Sequence, residues 1–141
     1  MSREVSVSSL NDRQLSNEVV INWKEARAVL PELWTRILRD VPCWTKEARK
    51  SMPILFKGRN QYYGAGKTRW RRNSKLVTPY EITLCFRPDG YLPLKMFIHE
   101  LIHARGRNHT YSPTCQFTSE TANDTYSLII MRKILDTVII P

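Results

Sequence analysis

Two histidines four residues apart, His99 and His103, enclose a glutamate in the run Met96-Phe97-Ile98-His99-Glu100-Leu101-Ile102-His103-Ala104. On a helix, positions i and i+4 stack on one face, so both imidazoles can address one metal ion. Glu100, offset around the helix, can hold a water bound to that metal. The chemistry such a set supports is metal-assisted hydrolysis, in which zinc brings the pKa of its bound water towards ~7 and a carboxylate removes the proton. The competing reading is a pair of ordinary surface histidines. Against it, Leu94, Phe97, Ile98, Leu101 and Ile102 form an apolar stripe that predicts a packed helix, and all three histidines of the chain fall within this region.

A catalytic zinc site has three protein ligands and an open position for water. Two residues could complete it. His109 lies six positions after His103, just past Gly106, where a reversing chain can bring it back under the metal. Glu120, with Asp124 one turn later, lies on an expected final helix and could supply a carboxylate ligand plus a partner for a ligating histidine. Acids early in a helix also favour its positive end without any metal. Of the two, His109 is the stronger candidate, since imidazole is a common zinc ligand and one turn suffices.

The elements that must position these residues can be read from periodicity. Apolar residues from Val19 to Val41 recur at three- and four-residue steps, predicting an amphipathic helix over 17–41, broken near Pro31. Met52 to Phe56 is expected to be a strand. Ile82, Leu84 and Phe86 alternate along a half-buried strand over 80–86, and Arg87-Pro88-Asp89-Gly90 has the residues of a turn. Pro93 suits the first turn of the histidine helix and Gly106 its end. A closing helix is expected from Ser112-Pro113 to about Val138, and residues 1–16 are expected to be a flexible lead-in to a single domain over 17–141. The class is α+β: an N-terminal helix, a small antiparallel or mixed sheet, the His-Glu-His helix and a closing helix.

Composition narrows the surroundings. No apolar run approaches the ~18 residues of a membrane span. The polar N-terminal stretch has neither a secretory signal nor a convincing transit peptide, and three widely spaced cysteines without a C-x-x-C pair suggest reduced thiols. A cytoplasmic, nucleoid or nuclear setting, no membrane partner and a monomeric state are the expectations. The formal charge is +9, and nine cations fall between Arg49 and Pro79 with no acid among them, including Arg59, Lys67, Arg69, Arg71 and Arg72. Such a block attracts polyanions, DNA among them, or simply decorates a solvated strand pair. Gly64-Ala65-Gly66-Lys67-Thr68 imitates a phosphate loop, but Gln61 stands where its first glycine belongs, and no helical periodicity follows.

Taken together, these motifs resemble the zincin metallopeptidases, most closely their SprT/YgjP-like branch, over roughly residues 34–134. The resemblance rests on a Trp-bearing helix, the glycine-marked segment Tyr63-Gly64-Ala65-Gly66-Lys67-Thr68-Arg69-Trp70, Glu81-Ile82-Thr83-Leu84 before the site, and the His99–His103 motif. Asn108-His109 followed by Phe117 resembles the family's ending, with a longer spacer. The resemblance implies a minimal zincin-like domain with Zn²⁺ on His99, His103 and His109, Glu100 as general base, and a protein or peptide substrate, by the branch's habit one associated with DNA. An extended substrate is expected to add to the edge of the 80–86 strand. The alternative is a non-catalytic nucleic-acid-binding module with a structural metal, in which Tyr62, Tyr63 and Trp70 stack on bases; that reading leaves Glu100 without a role.

Overall fold

The computed structural model describes residues 3–41, 51–58, 66–69, 81–105 and 120–141, with side chains placed in all of these except 66–69 and 120–126. Within them the chain is α+β, with four α-helices and three small sheets. Strand β1 (Arg3–Ser6) leads through a 3₁₀ turn (Val7–Ser9) to α1 (Asp12–Asn17) and β2 (Val20–Asn22). Helix α2 (Trp23–Asp40) follows, then β3 (Ile54–Lys57), β4 (Gly66–Arg69), β5 (Glu81–Leu84) and β6 (Tyr91–Pro93). The histidine helix is α3 (Leu94–Ala104), and α4 (Glu120–Ile134) and β7 (Thr137–Ile140) complete the order.

Both early helices start where an asparagine stops the preceding segment. Asn11 accepts the Gln14 N–H while the Gln14 side chain accepts the Asn11 N–H, and Asn22 and Glu25 repeat this exchange for α2. The expected helix over 17–41 therefore begins only at Trp23, because Val20–Asn22 pairs antiparallel with Tyr91–Pro93. Helix α2 is not broken at Pro31. The proline lies on the exposed face, where water can satisfy the carbonyl it leaves unpaired, while Ala26, Leu30, Leu33, Trp34 and Ile37 anchor the opposite face in the core.

The β2–β6 ribbon gives rise to two helices, since each strand runs directly into one, β2 into α2 and β6 into α3. The Leu94 N–H donates to Val19 O at 3.1 Å and fastens the start of α3 to the ribbon. Upstream, the turn at Arg87–Gly90 closes with Gly90 N–H on Arg87 O at 2.8 Å, and Gly90 adopts φ 85°, a conformation open to glycine. Ile82, Leu84 and Phe86 are all buried, as their alternation predicts.

Three expectations need correction. Of residues 1–16, expected as a flexible lead-in, the described residues 3–16 are ordered into elements: β1 pairs antiparallel with β7 from Arg3↔Ile140 to Ser6↔Thr137, so the two ends of the described chain are zipped together. The final helix stops at Ile134 rather than near Val138, because the β-branched run Thr137-Val138-Ile139-Ile140 completes that ribbon. The third concerns β5, which is the middle strand of a mixed sheet ordered β3-β5-β4, parallel to β3 and antiparallel to β4. Both its edges are paired, so no substrate can add to it. Among the described residues no helix is long and apolar enough to cross a membrane.

Candidate metal centre on helix α3

Helix α3 is buried almost all round: Leu94, Phe97, Ile98, Leu101, Ile102 and Ala104 are in the core, and so are His99 and Glu100. A helix apolar on every side belongs in a protein's interior, and α3 has α1, α2, α4, β4, β5 and β6 as neighbours. No side chain caps its N-terminus. What holds it is packing, together with the ribbon that delivers its first residue.

Burying two ionisable side chains in such a helix carries a large desolvation cost unless they are hydrogen-bonded or bind a metal. His99 is 1% exposed and Glu100 5%, and with Ser127 they are the buried polar side chains among the described residues. His103 is half-buried, so the site opens towards solvent on that side. The imidazoles stand edge to face, with ring centroids 4.7 Å apart, and their Nε2 atoms meet at 3.0 Å. Two Zn–N bonds of ~2.0–2.1 Å at a tetrahedral angle place the nitrogens about 3.4 Å apart. The observed spacing lies within a few tenths of an ångström of that value. It also suits a hydrogen bond in which one Nε2–H donates to the other ring. One ligand atom each from His99, Glu100 and His103 can be chosen so that all lie within 4.8 Å of one another. The donor set, two imidazoles and a carboxylate, is one that zinc accepts.

The remaining residues expected at the site divide into two groups. His109, Arg59, Arg71 and Arg72 lie outside the described residues, as do Cys43 and Cys115; Cys85 is a free thiol. Lys67 and Arg69 fall on β4, which neighbours α3 and is, among the described residues, an edge strand. Glu120 opens α4 and Asp124 lies one turn on, in a helix packed against α3.

A residue the sequence reading passed over locks the far end of this helix. Arg105, at the C-cap of α3, donates from Nε to Val41 O at 3.3 Å and from Nη2 to Leu38 O at 3.2 Å. The Leu38 carbonyl would ordinarily accept the N–H four residues on, but that residue is Pro42, which has none. Arg105 supplies the missing donor and ties the last turn of α3, two residues beyond His103, to the end of α2. The signal was present as a proline ending a helix and leaving carbonyls in want of donors.

Comparison with protein-family profiles, with curated proteins and with solved structures finds no match.

Proposed function

We propose that the chain is a zinc-dependent metallopeptidase of the zincin kind, nearest in pattern to the SprT/YgjP-like branch. The observation that carries this is the convergence of His99 and His103 Nε2 at 3.0 Å, on a helix that buries Glu100 beside them. His99 and His103 would hold the metal, with His109 or Glu120 completing the set. Bound zinc would supply Lewis acidity, acidifying a water and polarising a scissile carbonyl. Glu100 takes the proton from the attacking water and returns it to the leaving amine, the general-base and general-acid halves of one transfer. With β5 enclosed, the edge beside α3 that can receive an extended substrate is, among the described strands, that of β4. Lys67 and Arg69 on that strand, within the cationic 49–79 stretch, favour a substrate bound to DNA.

The test pairs metal content with cleavage. Glu100→Gln is expected to bind zinc as the wild type does while hydrolysis of an unfolded protein substrate falls by about 10²–10⁴-fold. Full activity in that variant would sink the mechanism, and a wild-type protein that takes up no zinc would sink the reading itself.

A further inference from the structure

A cavity of about 390 Å³ lies apart from the His99–His103 face, and no member of the metal cluster lines it. One wall is Val19-Val20-Ile21 and the facing wall is Thr137-Val138-Ile139. Successive side chains of a strand point to opposite faces of its sheet. Val20 and Ile21 are consecutive in β2 and Thr137, Val138 and Ile139 in β7, so residues of both faces of each strand line the cavity, which places it along the strands' edges. Among the described residues, β2 pairs only with β6 and β7 only with β1. The outer edges of two separate ribbons therefore border the same space, each with backbone N–H and C=O groups that no strand uses.

The cavity has an apolar floor, Val29, Leu33, Leu94 and Leu135, and an acidic rim. Glu25, Glu32 and Asp136 line it, against one lining cation, Arg36, whose Nε lies 3.9 Å from Asp40 Oδ2. In a chain of net charge +9, a place where carboxylates outnumber cations is unusual and favours a basic occupant. Ile139 is half exposed beside this rim, and an apolar side chain on the occupant could cover it.

We propose that the cavity is a docking site for an extended segment of a partner protein, alternating apolar and Lys or Arg residues, which adds as a strand between β7 and β2. The segment joins the β1–β7 and β6–β2 ribbons into one sheet. Its apolar side chains sit on the floor and its cations meet Glu25, Glu32 and Asp136. The site is independent of the metal centre and does not rest on hydrolysis.

The probe is a blocked heptapeptide of alternating Lys and Val, titrated by fluorescence polarisation against the full wild-type chain, its integrity checked by mass spectrometry. Saturable binding is expected, weakened at least about tenfold when Glu replaces Lys and similarly when alternate peptide nitrogens are methylated, which blocks strand pairing. The Glu32→Lys/Asp136→Lys variant changes exposed residues only and is expected to lose binding by a similar factor. Absence of binding, or equal binding of all three peptides, would overturn the proposal. Equal binding to wild type and variant would place the peptide elsewhere and overturn it too. A dimer in light scattering that the charge reversal dissolves would hand the cavity to a second copy instead.

Discussion

Helices α2 and α3 leave opposite strands of the same ribbon, yet they are specified in different ways. Helix α2 has a reciprocal asparagine–glutamate box at its start, one apolar face and one wet face. Helix α3 has no side-chain cap, is short, and is buried on nearly every side, with His99 and Glu100 in its core positions. The first could be drawn from local chemistry. The second depends on its neighbours and tolerates buried ionisable groups that stability alone would not select. A helix that gives up local support and buries His99 and Glu100 is where a candidate site is to be sought.

Arg105 joins the two helices, so removing it is expected to give the largest stability effect of these comparisons. Arg105→Ala leaves the Leu38 and Val41 carbonyls without their donor, at about 1–3 kcal/mol. Chemical denaturation should show that loss, with Arg105→Lys recovering part of it. Zinc affinity should weaken with it if the end of α3 must be fixed for the metal; an unchanged stability would mean α3 is held by packing alone. Asn22→Ala comes next, at about 1 kcal/mol, since both halves of the α2 box disappear. Pro93→Ala, at the equivalent point of α3, removes no side-chain hydrogen bond and should cost less. Equal losses at the two positions would erase the distinction between locally and globally specified helices.

How much of this was legible follows the same division. The four-residue step from His99 to His103, the alternation of Ile82, Leu84 and Phe86, and the Arg87–Gly90 turn are local patterns, and each is present in the fold. The capping boxes at Asn11 and Asn22 were also written locally, and reading them would have started α2 at Trp23. Pairing of β1 with β7 could not be read this way, because it joins residues more than 130 positions apart through four-residue strands. The central place of β5 is likewise non-local: nothing in Glu81–Leu84 reveals that Ile54–Lys57 lies along one side and Gly66–Arg69 along the other. In the candidate metal site, the two histidines and Glu100 were legible because helical spacing alone brings them together. Whether His109 or Glu120 could join them depends on where the chain goes after α3, which no local spacing determines.

The smallest expected effect concerns the end of α2, where Asp40 places a negative charge at the terminus the helix dipole makes unfavourable for it. The Arg39 side chain hydrogen-bonds both carboxylate oxygens at 3.3 Å, and this contact holds the Asp40 carboxyl below its ordinary value; burial opposes it as the next largest influence, and the charges of Arg39, Lys133 and Arg36 each add a smaller lowering. A carboxyl whose folded pKa is depressed contributes stability that is present in full above its unfolded pKa and is lost as pH falls through the folded one. Asp40→Asn should therefore lower the melting temperature slightly at neutral pH. The gap from wild type should close as pH drops below the ordinary carboxylate range, and salt should narrow it, since Arg39 is largely exposed. A gap that survives acid would show that the Asp40 side chain acts through shape or neutral hydrogen bonding rather than charge, since the main-chain carbonyl that Lys133 Nζ contacts at 3.5 Å is the same in both proteins.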